Sequence, residues 1–367
     1  MATKHTLKDA VHKLTVTPQE HSTVRIEGEI PYTILAEYRA VALKALGKDV
    51  SIDGFRKGHV PEQVLLKRIG EMTLLSEMAE RALAALYPQI VTEHALDVIG
   101  HPKVQITKLA PENPLGFSAT VAVVPEVTLP DYQKIARETK KESTEITDQD
   151  LADTIANIQR QKVAYERMQQ KAAAGADDAL PTPETVEPAE DAPLPELTDE
   201  YVKTLGAFET VDDFKTKLRE HLAIERAQEV TAKHRATITD RIIEESTIDL
   251  PAILVDSEIG QMFGQMEHDL KRANLSIDDY LSHLKKTKED LRAEWAPAAE
   301  KRAKLQLVLN EIAKREKITA PEDMVASQVQ ALLAEHKDAD PARVALYVHS
   351  TLVNDAVMRM LEAASAE

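Results

Sequence analysis

The chain has 367 residues, with 45 Lys+Arg against 62 Asp+Glu for a formal charge of −17, no cysteine, 11 glycines and 4% aromatic residues. Lack of cysteine excludes a disulfide framework, a thiolate metal site, an iron–sulfur cluster and a cysteine nucleophile, and the scarcity of glycine leaves little room for phosphate-cradling loops, of which neither the Rossmann nor the P-loop fingerprint occurs. Hydrophobic residues at 43% and charged residues at 29% suit a helix-rich globular protein of two or three domains, with its acidity gathered after residue 130.

Val24, Ile26 and Ile30 alternate with charged residues as in a half-buried strand, and 11–17 supplies a partner before it. The spacing of Ile34, Leu35, Tyr38, Val41, Ala42 and Ala45 predicts a helix over 31–50. A loop at 52–61 follows, then helices over 62–69 and 71–96, with Leu74, Leu75, Met78, Leu83 and Leu86 on one face of the second. Val104 and Ile106 mark a third strand, and Phe117, Ala119, Val121 and Val123 a fourth, closed by Pro125 and Pro130. Strands at both ends with helices between them make one α+β module, 1–130.

Thr147 and Asp150 are placed as a capping pair for an amphipathic helix carrying Leu151, Ile155, Ile158 and Tyr165, within a connecting segment at 131–170. Residues 171–196 hold five prolines and seven acidic residues, the composition of an extended linker. From 197 to 367 the pattern is all-α. Its apolar faces include Leu254 to Leu270, Leu305 to Ile312, and Val344, Tyr347, Val348 and Leu352, whereas 201–214 reads as an exposed linker helix. The string at 248–258 resembles that at 318–328: each ends a long helix in an Ile-x-x-Pro bend and starts another, which predicts two hairpin arms built alike. The twelve histidines show no metal-ligand spacing, and no nucleophile–base or acid–base constellation stands out, so neither metal nor cofactor is expected.

The loop holds Gly54-Phe55-Arg56-Lys57-Gly58 and Pro61, and 44–68 carries six Lys/Arg against three Asp/Glu, a basic neighbourhood in an acidic chain. Glycines on both sides permit left-handed backbone, and Pro61 restarts a helix. An aromatic between cations suits an RNA–protein surface; a turn with Phe55 folded back into the core fits the same residues.

Gly-Phe-Arg-Lys-Gly-x-x-Pro resembles the ribosome-docking signature of trigger factor, the bacterial chaperone at the nascent-chain exit. Val-Pro-Glu-Val at 124–127 is similar to the end of that family's N-terminal module, 146–166 to its connecting arm helix, 194–206 to the start of its C-terminal domain, and 248–258, with Pro251 and Ser257-Glu258, to the start of its first arm. The resemblance implies a multidomain α+β fold: a ribosome-binding module at 1–130, an arm helix at 131–170 and an all-α chaperone domain at 197–367. The FKBP-type prolyl-isomerase domain usual between the last two is expected to be absent, since the linker at 171–196 is far shorter than the roughly 100 residues such a domain needs.

The implied function is an ATP-independent cytoplasmic chaperone, not an enzyme. Gly54, Phe55, Arg56, Lys57, Gly58 and Pro61 would meet protein and rRNA of the large ribosomal subunit at the tunnel exit. Unfolded or nascent polypeptides are the clients, no membrane is a partner, and weak homodimerisation is expected as in some members. Met262, Phe263 and Met266 are client-binding candidates because methionine adapts to varied apolar partners, although their helical spacing equally fits core packing. A helical adaptor for one folded partner and a degenerate prolyl isomerase are the alternatives.

Overall fold

The computed structural model describes residues 6–49, 61–173 and 194–365. The loop residues 54–58 and most of the proline-rich linker lie outside the described residues. In chain order the elements are α1 (Leu7–Ala10), β1 (His12–Gln19), β2 (Thr23–Ile30), α2 (Tyr32–Glu37), α3 (Arg39–Asp49), α4 (Glu62–Ile69), α5 (Glu71–Glu93), β3 (Val98–Lys108), β4 (Leu115–Val123) and β5 (Val127–Thr128). These are followed by α6 (Tyr132–Glu138), α7 (Asp148–Ala173), α8 (Asp199–Lys203), α9 (Val211–Glu245), β6 (Thr247–Ile248), α10 (Ala252–Arg272), α11 (Ile277–Leu284), α12 (Lys288–Glu316), α13 (Glu322–Glu335) and α14 (Pro341–Ser365). Two compact units form: 1–130 with 243–319, and 131–242 with 320–367.

In the first unit an antiparallel sheet runs in the order β1-β2-β4-β3. Its register places Ile26 opposite Ala119 and Ile30 opposite Leu115, so the period-2 pattern puts one apolar face of both strands against α5. There Leu74, Leu75, Met78, Ala82, Leu86 and Ile90 are buried. Gly28 lies under this packing: a β-carbon would stand 2.8 Å from Val11 Cγ1 and 3.2 Å from the Phe117 ring. The helix expected over 31–50 is divided into α2 and α3 at Tyr38, where the backbone tightens to an i→i−3 bond from Tyr38 N–H to Leu35 O before the α pattern resumes.

The first helical arm, α10 to α12, belongs to the same unit. Its root is pinned three ways. β6 pairs with β5, Val127 opposite Ile248. Ser22, in the β1–β2 turn, donates its N–H to Asp249 Oδ2 at 2.8 Å and its hydroxyl to Asp249 O at 2.6 Å. Gly100, at φ 73°, lies so near Ile253 that a β-carbon would stand 2.3 Å from the Ile253 Cδ1.

The second unit begins with α6, whose Tyr132, Ile135 and Ala136 are buried, and α7, capped as expected: Asp150 N–H donates to Thr147 Oγ1, and Thr147 N–H donates back to Asp150 Oδ2. The stretch 201–214 is not an exposed linker helix. α8 ends at Lys203, the chain turns, and α9 starts at Val211; Val202 and Phe214 are buried with Leu151 and Ile155 in a small core. Val202 and Phe214 lie on separate helices either side of a turn, so no single helical period joins them and periodicity could not reveal that they share a core.

Arg235 ties α9 to α14. Its Nε and Nη2 donate to Glu362 Oε1 and Oε2, each at 2.9 Å, and these bonds together with Asp355 raise the arginine pKa. His234 is buried beside it, with Nε2 3.0 Å from both Thr139 O and Ser365 Oγ. The repeated Ile-x-x-Pro bends both start helices, with Pro251 and Pro321 in extended conformation at the N-caps of α10 and α13. Each leads into a hairpin, although the first returns through α11 and the second returns directly into α14.

Candidate functional site

Of the residues expected at the docking loop, Pro61 alone is among those described, as the N-cap of α4 at φ −58° and ψ 141°, values proline adopts without strain. The walls of the loop are built from α3 and α4. Arg39 donates both Nε and Nη2 to Glu62 Oε1, at 3.1 and 2.8 Å, tying the start of α3 to the start of α4. Buried Leu65 approaches to 3.5 Å of the β-carbon position of Gly47, which lets the two helices close on one another. Lys44, Lys48, Lys67 and Arg68 are exposed on α3 and α4, so the two helices that flank the loop in sequence carry basic side chains in water.

On the first arm, Met262, Phe263 and Met266 share a face of α10 and are half-buried. The Phe263 ring packs on Trp295 of α12 with centroids 4.8 Å apart and planes tilted by 50°. Phe263 thus helps hold the hairpin together while keeping part of its surface in water. Freer apolar groups stand around α11: Leu275, Tyr280 and Leu284 are exposed. They escaped the sequence reading because they sit at a turn and in a short helix, and the signal was there: apolar side chains among turn residues and the Ser276 cap.

The second hairpin is more open. α13 buries no residue, and on α14 Leu346 is 73% and Tyr347 66% exposed, with Met324 of α13 also exposed. Tyr347 was expected among core positions of α14, where Val348 and Leu352 are indeed buried. Successive residues of a helix point about 100° apart, so Val348 faces inward while Tyr347 leaves a large amphipathic side chain in water. Among the described residues no cluster of three or more His, Asp or Glu could hold a metal ion, and no helix is long and apolar enough to cross a membrane.

The chain matches two family models: that of the bacterial trigger factor protein over residues 12–158, and that of the bacterial trigger factor C-terminus over residues 210–364. It is similar to the trigger factor of Moorella thermoacetica, at 25% identity covering 96% of this chain and 93% of that protein. It is also similar to that of Streptomyces coelicolor, at 26% identity covering 86% and 80%. A solved structure of the trigger factor chaperone, described for promiscuous substrate recognition in folding and assembly, shares the fold at a TM-score of 0.53 and 16% identity, over 96% of this chain and 99% of that one. Neither family model covers 159–209, and the regular structure described there is helical, the end of α7 and all of α8.

Proposed function

The chain belongs to the trigger factor family of chaperones, and from that premise we propose that it docks at the exit tunnel of the large ribosomal subunit and shields nascent or unfolded polypeptides there without ATP, in the cytoplasm. The observation that carries docking is the unbroken string Gly54-Phe55-Arg56-Lys57-Gly58, with Pro61, inside the segment that matches the trigger factor N-terminal model. Arg56 and Lys57 supply charge to rRNA phosphates, and Phe55 supplies a stacking or wedging surface for rRNA and protein. A body of charge −17 is repelled by rRNA, but screening over about 8 Å at physiological salt lets a protruding basic loop bind while the body stands off.

The division of labour follows the segments: 1–130 for docking, 131–170 as the connecting arm, 171–196 as a tether in place of an isomerase domain, and 197–367 for holding clients. Promiscuous recognition, as described for the solved relative, suits apolar groups scattered over both hairpins, each contributing little, so that a folding client is released without nucleotide. Met262, Phe263 and Met266 contribute through the part of their surface left open, and Leu346 and Tyr347 more strongly.

The test is cosedimentation with ribosomes. The wild-type chain is expected in the ribosome pellet, and the variant Phe55→Ala, Arg56→Ala, Lys57→Ala in the supernatant; equal sedimentation of the two would remove the docking assignment.

A further inference from the structure

The first unit carries an apolar groove that the docking loop does not use. β3 lies at the edge of the sheet and pairs only with β4 among the described strands. Val104 and Ile106 stand opposite Ala119 and Phe117, so all four point to the same face, the one α5 covers. Yet Ala119 and Phe117 are buried, whereas Val104 is 43% and Ile106 40% exposed. α5 reaches across β4 and stops short of β3. The uncovered strip is a groove of about 430 Å³ with Leu83, Ala84 and Tyr87 of α5 on one wall and Val104 and Ile106 on the other. Its volume is within the range of natural binding pockets.

Three features specify what would fill it. A free sheet edge presents a row of backbone N–H and C=O groups, which another extended backbone satisfies. Natural edges are blunted by bulges, proline and charge. Here the first part of β3 is so treated, by the register shift between Ile99 and Lys103, by Pro102, and by Ile253 seated over Gly100. The part from Lys103 to Lys108 is not covered. Tyr87 lines the same groove, and its hydroxyl is buried without a hydrogen-bond partner among the described residues, which is costly unless an incoming chain supplies one. The open half of β3 also carries Lys103 and Lys108 with no acidic residue between them, so it favours a partner with carboxylates at its ends.

We propose that this groove is a client subsite, in which an extended segment with alternating apolar side chains and acidic flanks adds as a strand to the open half of β3. Alternate side chains enter the groove, and the intervening ones face away. The proposal rests on the client-holding part of the function above and assigns it a subsite and a mode. It differs from the helical hairpins in chemistry: they offer side chains alone, and this edge adds backbone hydrogen bonds.

The experiment uses the full chain and a fluorescein-labelled nine-residue peptide of alternating valine and threonine with aspartate at each end, read by anisotropy. A second peptide is N-methylated at alternate positions, keeping every side chain and removing the pairing N–H groups. The first variant is Val104→Asp with Ile106→Asp; the second, Ala84→Trp, fills the groove from α5 and leaves β3 untouched. Expected is binding of the first peptide to wild type, weakened about tenfold or more in both variants and by N-methylation. Undiminished binding to either folded variant, or equal binding of the methylated peptide, overturns the subsite. So does a wild-type self-association that the variants abolish and the peptide does not compete, which would make a second copy the occupant. Suppression of aggregation of a denatured test protein is measured in parallel. If it persists while peptide binding fails, the groove falls and the chaperone reading stands; if the wild type suppresses nothing, both fall.

Discussion

Gly100 combines a left-handed backbone with a neighbour only 2.3 Å from the place of a β-carbon. Alanine there must either move Ile253 or distort the strand, and its own φ of 73° is unfavourable for any L side chain. Gly100→Ala is therefore expected to lower stability by roughly 1–3 kcal/mol, measured as a lower midpoint in urea; a midpoint within experimental scatter of wild type would show that the root of the arm yields easily. The sequence marked Gly100 only as one of few glycines. What makes it necessary is a residue some 150 positions away in the chain, and no local pattern carries that information. The same reason hid the Ser22–Asp249 clasp. By contrast Pro61, Pro251 and Pro321 were legible as helix starts, because a proline acts through its own ring and its own missing N–H.

At the scale of elements, helix starts built on local chemistry were read correctly and exposed faces less so. Thr147 with Asp150 caps α7 as expected, and Thr287 with Asp290, a pair the sequence reading did not single out, forms a full capping box on α12. In both, hydrogen bonds from the threonine lower the aspartate pKa. A carboxylate whose folded-state pKa lies below its unfolded value near 3.9 adds stability that is fully present above that value and is lost as pH falls through the lower, folded one. Acid titration is thus expected to shift the thermal midpoint of Asp150→Asn and Asp290→Asn less than that of wild type below about pH 4; parallel curves would mean these caps contribute nothing to acid sensitivity.

The hairpins also separate two kinds of apolar residue that periodicity treats alike. Phe263 has Trp295 as a partner, whereas Leu346 and Tyr347 have a bare face of α14. The variant Leu346→Ser, Tyr347→Ser should keep its unfolding free energy within about 0.5 kcal/mol, as exposed substitutions do, and yet suppress aggregation of a denatured client less well in the absence of nucleotide. A large stability loss, or unchanged suppression, would remove that face from client holding. Helical spacing could not foretell the distinction, since it reports that a stripe is apolar and not whether another element covers it.

For the whole molecule, composition was informative about class and silent about assembly. The few glycines and aromatic residues agreed with a largely helical chain, and the four strands of the main sheet in 1–130 were legible, whereas the two-residue β5 and the order β1-β2-β4-β3 were not. Each compact unit draws on two separate stretches of the chain, 1–130 with 243–319 and 131–242 with 320–367. Such long-range pairing is slow to form, because the intervening chain must be synthesised and the loop closed before the contacts exist. The first unit cannot be completed until residues up to 319 have been made, although its sheet and α5 hold a core of their own.

The root of the first arm has a mechanical meaning as well. A tug on α10 is borne by a two-residue ladder between β5 and β6, by two hydrogen bonds from Ser22 to Asp249, and by the seat of Ile253 on Gly100. The four-stranded sheet behind them is tied by ladders several times longer. Under load these short attachments are expected to part before the longer ladders, so the root is the fuse of this unit: it yields while the sheet still holds.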